Sequence, residues 1–146
     1  MNTGDRLLPN QIVILDRPPD KPQLLGELAE RAATALSLDA RTISAALLRR
    51  EELGSTGLGG GIAIPHTRIP GLQRPFAILA ILRAAIAFDA IDGAPVDIVV
   101  LLLMPDSGDA LKALAAISRI LRDPAILKAL RAAPSAQAAY NILDAG

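Results

Sequence analysis

Two long aliphatic runs constrain the fold of this chain more than any other feature of its sequence. They span Phe76 to Leu82 and Val96 to Leu103, and neither alternates apolar with charged residues as a strand with one wet face would. Near-continuous aliphatic runs of this length are typical of strands that are covered on both faces. The runs therefore predict a sheet that has a layer of helices on each side.

Helical periodicity surrounds these strands and completes the predicted fold. Two further short strands are predicted at Ile12–Leu15 and at Ile62–Ile64. The predicted helices comprise Leu24 to Leu36, a second capped by Asp39 and ended near Leu53 by Gly54, a third with its apolar face from Leu111 to Leu121, a fourth opened by Pro124, and a fifth capped by Ser135. This order predicts one α/β domain over residues 1–146, with a mixed β-sheet flanked by helices on both faces.

Composition argues against several classes of function. The 15 basic and 15 acidic residues balance, and one Tyr, two Phe and no Trp provide no platform for base stacking, so nucleic-acid binding is not expected. Cysteine is absent, which removes disulfides and thiolate chemistry. The longest apolar run, Ile98 to Met104, is far shorter than the roughly 18–20 residues of a membrane helix. No membrane insertion is expected, and the predicted location is cytoplasmic.

A glycine-rich segment from Gly54 to Gly61 is predicted to form a loop that leads into the short strand at Ile62. It does not fit the nucleotide-binding patterns, because no Lys follows the glycines and the dinucleotide spacing fails when counted from Gly57. Two interpretations stay open. The segment is a tight connection, or its N–H groups and the hydroxyls of Ser55 and Thr56 receive an anion.

His66 is the only histidine in the chain and the natural candidate for a nucleophile at neutral pH. A metal site is disfavoured because no other His or Cys is present to complete a ligand set. An imidazole nitrogen can accept a phosphoryl group covalently, and such a site requires cations and N–H donors around the phosphoryl oxygens. Arg50 has the planar charge suited to phosphate, although a solvated helix charge beside Glu51 and Glu52 is the plainer interpretation.

Three aspartates form the other polar cluster of the sequence. Asp89, Asp92 and Asp97 surround Gly93 and Pro95, which mark a turn between strands. We interpret these carboxylates as structural rather than as an acid–base pair.

Two blocks of the sequence resemble the EIIA domains of the bacterial phosphoenolpyruvate-dependent phosphotransferase system. The first runs from Arg50-Glu51 through GSTGLGGGIAIPH and is similar to the phosphorylation-site motif of these domains, most closely of the nitrogen-regulatory type. The second is IAFDAIDGAPVDI with the VVLLLMP that follows. The resemblance covers the chain from about Leu8 to Asp144.

The resemblance implies a role for each candidate residue. His66 would accept phosphate from a histidine phosphocarrier protein, and Arg50 would stabilise the phosphorylated state. Ser55, Thr56 and the glycines that begin with Gly57 would form the loop beside the phosphoryl group. Such transfer requires neither a metal nor a cofactor, and the later partners would be regulated target proteins or an EIIB domain.

Two positions depart from the family pattern. A second histidine is common at the start of the helix after the last core strand, where this chain has Ala110, and Thr67 replaces the usual Gly after the active histidine. Three alternatives therefore stay open. They are a sugar-transport EIIA that passes phosphate to an EIIB cysteine, a binding-only regulator with lost or slow phosphotransfer, and a generic nucleotide-binding enzyme.

Overall fold

The sheet at the centre of the molecule is mixed, as the aliphatic runs predict. The structure is a computed structural model that describes residues 8–106 and 109–145. Its strands are β1 (Gln11–Leu15), β2 (Gly57–Gly59), β3 (Ile62–Ala63), β4 (His66–Arg68), β5 (Phe76–Ile86) and β6 (Val96–Met104). The strand order is β1-β5-β6-β3-β2, and β4 also pairs with β6. The pairs β1·β5, β3·β6 and β4·β6 are parallel, whereas β5·β6 and β2·β3 are antiparallel.

In the part of the chain that the structure describes, five helices cover the two faces of this sheet. They are α1 (Lys21–Leu36), α2 (Ala40–Glu52), α3 (Asp109–Leu121), α4 (Pro124–Ala132) and α5 (Ala136–Ala145). Helix α1 begins three residues before the predicted Leu24, because the Asp20 carboxylate accepts a hydrogen bond from Gln23 N–H and Pro22 fits the first turn. The predicted caps Asp39 and Ser135 are confirmed, since each side chain accepts a backbone N–H of its own helix.

The two long strands divide the apolar core by residue parity. Ile78, Ala80 and Leu82 of β5 pack with α1 and α2, whereas Ala77, Leu79 and Ile81 pack with α3, α4 and α5. Strand β6 divides in the same way, with Val99, Leu101 and Leu103 on the first face and Ile98, Val100 and Leu102 on the second. Successive side chains of a strand point to opposite faces, so both faces require apolar residues. The predicted α/β fold, with helices on both faces of a mixed sheet, is confirmed.

The glycine-rich segment differs from the predicted plain loop. Gly57–Gly59 forms strand β2, which pairs with β3 through a turn at Gly60 and Gly61. Both turn glycines have positive φ, +67° and +82°, and only glycine adopts such angles freely. Strand propensity is poor for glycine, so the sequence pattern hides a strand that is held by contacts with the rest of the fold.

Two other boundaries differ. A separate strand, β4, begins at His66 itself, whereas the sequence predicts that His66 follows the strand at Ile62–Ile64. Strand β5 continues beyond Leu82 to Ile86. Among the described residues, the helices are too short or too polar to cross a bilayer.

Candidate functional site

His66 stands at the first position of β4, beside the carboxyl-terminal half of β6. The strand pairing places His66 opposite Leu102, and the preceding Pro65 carbonyl accepts the Leu102 N–H at 2.9 Å. The backbone at the histidine is thereby fixed to a central strand. Its side chain is half-buried and still reaches solvent. A fixed backbone with an accessible ring is the arrangement that a reactive side chain requires.

The imidazole of His66 is held in one tautomer by its own chain. Nδ1 lies 2.7 Å from the carbonyl oxygen of Ile64. A carbonyl oxygen only accepts hydrogen bonds, so Nδ1 must carry the proton in this contact. In the neutral ring, Nε2 then has the free lone pair. Nε2 is therefore the ring nitrogen whose lone pair is not engaged by this contact.

Arg50 lies in the last turn of α2, and its Nη1 donates to the carbonyl of Gly54 at 2.8 Å. Between α2 and β4 there is a groove of about 470 Å³, which both Arg50 and Thr67 line. Thr67 is the residue after His66, and because successive side chains of a strand point to opposite faces, the groove reaches the strand of His66 while His66 itself does not line it. The fold thus brings Arg50 and the strand of His66 together, and one hydrogen bond leaves most of the guanidinium donors free.

Ser55, Thr56 and Gly57 are already engaged within the protein. The Ser55 hydroxyl donates to the Phe88 carbonyl at 2.6 Å and accepts the Gly57 N–H at 3.0 Å. The Thr56 hydroxyl and N–H both donate to the carboxylate of Glu51, at 2.5 and 3.1 Å. These groups support the loop in the structure. Direct contact between Ser55, Thr56 or Gly57 and a phosphoryl group stays a prediction. The internal hydrogen bonds of these residues do not favour it, because such a contact would have to replace them.

The structural interpretation of the aspartates is confirmed for two of them by their hydrogen bonds. Asp92 accepts the N–H groups of Ala94 and Gly60, both at 3.0 Å. The N–H of Ala94 has the larger effect and that of Gly60 the smaller, and together they hold the pKa of the Asp92 carboxyl below its ordinary value. Asp97 forms a bidentate ion pair with Arg131, and the same guanidinium donates to the Gly60 carbonyl at 2.8 Å. Both carboxylates therefore anchor the glycine turn.

Replacing Gly61 by alanine is expected to break this anchor. At Gly61, φ is +82° and a Cβ would lie 2.6 Å from Arg131 Nη2 and 2.9 Å from Asp97 Oδ1. The left-handed backbone costs about 1–2 kcal/mol, and displacing the Arg131–Asp97 contact adds about 1 kcal/mol. We expect Gly61→Ala to lower the free energy of unfolding, measured by urea titration, by about 2–3 kcal/mol.

The neighbouring glycine provides a matched control for this prediction. Gly60 has a φ of +67°, and no heavy atom lies within 4 Å of its Cβ position. Gly60→Ala should therefore lose only the backbone contribution of about 1 kcal/mol. Equal losses in the two variants would show that the contact with Arg131 and Asp97 does not matter.

Sequence reasoning missed an ion pair behind the loop. The sequence assigns no role to Glu51, yet its side chain is 7% exposed and lies 2.9 Å from Lys21 Nζ. Lys21 also donates to the Phe88 carbonyl at 3.3 Å and stacks over the Phe88 ring. One signal was available. A lysine in the first turn of a helix opposes the helix dipole, which indicates that its charge is satisfied by another element.

Ala110 occupies the position that the resemblance assigns to a second histidine. It lies in the first turn of α3, is 1% exposed and packs in the core on that face of the sheet. A methyl group at this position offers no hydrogen bond to a phosphohistidine. Within residues 8–106 and 109–145, no group of three or more His, Asp or Glu side chains is placed to hold a metal ion.

Comparison with known proteins agrees with the resemblance. Residues 6–146 match the family described as "Phosphoenolpyruvate-dependent sugar phosphotransferase system, EIIA 2". A "Nitrogen regulatory protein" of Bradyrhizobium diazoefficiens is 45% identical over 145 residues, which cover 98% of this chain and 95% of that protein. The protein of the same name from Pseudomonas aeruginosa is 43% identical over 126 residues, 84% of this chain and 82% of the other.

A solved structure extends the agreement to three dimensions. The nitrogen regulatory protein IIA-Ntr of Neisseria meningitidis superimposes with a TM-score of 0.83 at 33% identity, covering 90% of this chain and 92% of that one. Sequence, fold and the surroundings of His66 therefore lead to one conclusion. The chain belongs to the EIIA type 2 family of the phosphoenolpyruvate-dependent sugar phosphotransferase system.

Proposed function

We propose that this protein is a phosphocarrier that accepts a phosphoryl group on His66 Nε2 from a histidine phosphocarrier protein. The observation that carries the proposal is the hydrogen bond from Nδ1 to the Ile64 carbonyl, which leaves Nε2 unprotonated. Membership of the EIIA family supports the reaction class. Arg50 lines a groove between α2 and the strand that begins at His66, and it supplies a cation for the phosphate.

The chemical step is a displacement between two imidazoles. The Nε2 lone pair of His66 attacks phosphorus, and the N–P bond of the donor breaks on the opposite side. The donor ring keeps the electron pair of that bond and leaves neutral, while the positive charge passes to the His66 ring. The Ile64 carbonyl accepts from Nδ1–H throughout, so it stabilises the charged ring that forms. No proton has to be removed from His66.

Arg50 would hold the phosphoryl oxygens. Its bond to Gly54 fixes the guanidinium near the end of α2 and leaves its other N–H groups available. A planar guanidinium binds phosphate through two parallel hydrogen bonds, which lysine cannot copy. The pair of His66 and Arg50 therefore supplies the nucleophile and the cation that phosphoryl transfer requires.

Regulation of other proteins according to the phosphorylation state is the second part of the proposal. It is supported by the relatives named nitrogen regulatory protein at 45% and 43% identity. The alternatives are transfer to a cysteine of an EIIB domain and a binding-only role, for which Ala110 provides the specific observation, since it is buried and has no polar group.

The test is phosphorylation with phosphoenolpyruvate, enzyme I and a histidine phosphocarrier from the same organism. Intact mass is measured with and without phosphoenolpyruvate. A gain of about 80 Da that is lost in acid supports a phosphohistidine carrier. No gain with a donor that phosphorylates a second EIIA protein in parallel would contradict the proposal and favour the binding-only role. Adding an EIIB domain to the loaded protein distinguishes the sugar-transport alternative, because the mass gain would then move to EIIB.

Arg50→Ala is expected to slow phosphorylation and to shorten the lifetime of the phosphorylated protein. Losing one or two charge-assisted hydrogen bonds to phosphate corresponds to about a 10- to 100-fold effect. Initial rates and the decay of the mass gain measure it, and Arg50→Lys should recover only part. Arg41→Ala is the matched control, because Arg41 is an exposed arginine of the same helix and does not line the groove. An equal effect at Arg41 would indicate general charge attraction instead of a specific role for Arg50.

A further inference from the structure

The carboxylate of Glu51 has no part in the transfer step described above, yet it forms two hydrogen bonds and an ion pair near the site. It accepts the N–H and the hydroxyl of Thr56, and it pairs with Lys21. A buried carboxylate needs such partners to offset its lost hydration. Its position at the end of α2, next to Arg50, raises the question of what these bonds hold in place.

Hydrogen bonds connect the Glu51 carboxylate to the imidazole of His66 through two residues, Thr56 and Ile64. Thr56, clamped by Glu51, accepts the Ile64 N–H on its carbonyl at 3.1 Å. The Ile64 carbonyl in turn accepts His66 Nδ1–H at 2.7 Å. Only two residues therefore separate the carboxylate from the imidazole. Both are buried, since Thr56 is 3% exposed and Ile64 is 1% exposed.

The clamp at Thr56 restricts this path more than a single bond would. One carboxylate binds both the backbone N–H and the side-chain hydroxyl of Thr56, so the backbone and χ1 of that residue are fixed together. The direction of the Thr56 carbonyl follows, and with it the position of Ile64. Bonds to an ionised acceptor are shorter and stronger than neutral ones, and successive bonds polarise one another.

We propose that Glu51 is a positioning residue for phosphoryl transfer. Through Thr56 it fixes the Ile64 carbonyl, and so it keeps His66 in the tautomer that has Nε2 free. Lys21 balances the charge of the carboxylate at 2.9 Å and holds it in place. This inference rests on the proposed function for its consequence in transfer, but its effect on the tautomer is measurable without any phosphate donor.

The experiment measures the tautomer of neutral His66 by long-range ¹H–¹⁵N correlation spectra, at a pH above the His66 titration. Glu51→Gln keeps the side-chain shape but removes the charge, and it has one acceptor oxygen where the carboxylate uses two, one for the Thr56 N–H and one for its hydroxyl. Thr56→Val removes only the hydroxyl, and Thr56→Ser restores it. We expect Glu51→Gln and Thr56→Val to raise the ratio of the Nε2–H to the Nδ1–H tautomer about fivefold, the factor for one net hydrogen bond. Thr56→Ser should match the wild type.

A general loosening of the loop must be distinguished from this specific effect. Arg131→Gln is the control, because Arg131 holds the Gly60 carbonyl and Asp97 on the other side of the loop and lies off the path. It should leave the tautomer ratio unchanged. An equal shift in Arg131→Gln, or an unchanged ratio in a folded Glu51→Gln variant, would overturn the inference. If Glu51→Gln does not fold, the comparison of Thr56→Val with Thr56→Ser decides.

The phosphorylation rate gives the second readout. A shift in tautomer should lower the initial rate of mass gain in proportion to the fraction of the Nε2-free form that remains, because only that form reacts. A wild-type protein that takes up no phosphate would overturn the proposed function and leave the tautomer result standing. A shifted tautomer with an unchanged rate would overturn the positioning role alone.

Discussion

His66→Ala is expected to take up no phosphoryl group, while it stays folded with nearly the stability of the wild type. The variant removes the sole imidazole of the chain, so the nucleophile is gone. The structural loss is small, because the ring is half-buried and makes one described hydrogen bond, to Ile64. That bond contributes about 1 kcal/mol. Intact mass after incubation with the donor system measures uptake, and urea unfolding measures stability.

His66→Asn sharpens this prediction. The asparagine amide nitrogen lies at the position of Nδ1, so it still offers an N–H donor to the Ile64 carbonyl, but it is not nucleophilic. The variant should therefore unfold like the wild type and also show no gain of about 80 Da. A persistent gain in both variants would place the phosphoryl group on another side chain and remove the basis of the assignment. If His66→Ala loses uptake together with its folded state, His66→Asn is the informative variant.

Glu51→Ala is expected to cause the largest loss of stability among the substitutions considered. It removes the carboxylate 2.9 Å from the Lys21 ammonium, which is 14% exposed and is left with the Phe88 carbonyl and the exposed Asp89 carboxylate at 3.8 Å, and it leaves the Thr56 N–H without an acceptor. Breaking a buried ion pair from one side typically costs about 3–5 kcal/mol. We expect a loss of that size in the free energy of unfolding, measured by urea titration monitored by circular dichroism. The substitution also removes the contacts that Glu51 of α2 makes with α1 and with the loop. The unfolding transition should therefore begin at a lower urea concentration.

Glu52→Ala is the matched control for Glu51→Ala. Glu52 is adjacent, of the same type and exposed, so its removal should change stability by less than about 0.5 kcal/mol. Adding Lys21→Met to Glu51→Ala should recover part of the loss, since the uncompensated charge is removed. Equal stability of Glu51→Ala and Glu52→Ala would contradict the description of Glu51 as a buried, paired carboxylate.

The sequence predicts the layers of this fold well because the composition of the two long strands indicates that both of their faces are buried. Residues 76–82 of β5 and 98–104 of β6 are apolar on both faces, and all of them are buried in the structure. Strand β2 was not predictable for the opposite reason. Its residues are mostly glycine, and the hydrogen bonds that define it come from the neighbouring β3 and from the Ile91 N–H to the Gly57 carbonyl. The contact with Ile91 joins distant parts of the chain and leaves no local pattern.

The candidate site divides in a similar way. His66 and Arg50 stand out by residue type and by a family motif, so the sequence suffices to nominate them. The difference between Glu51 and Glu52 is invisible in the sequence, because only tertiary structure buries one carboxylate and exposes the other. The hydroxyls of Ser55 and Thr56 seemed suited to an anion and prove to be bound internally, since hydroxyls follow the nearest acceptors once the chain folds.

The nitrogen of His66 that carries the phosphoryl group provides the most direct test of the whole account. Long-range ¹H–¹⁵N correlation spectra of the phosphorylated protein, with ¹⁵N-labelled histidine, identify the substituted nitrogen. We expect phosphate on Nε2, with Nδ1 still protonated and donating its hydrogen bond to the Ile64 carbonyl. Phosphate on Nδ1 would contradict it, because that nitrogen would have to break its hydrogen bond and expose its lone pair before it could react.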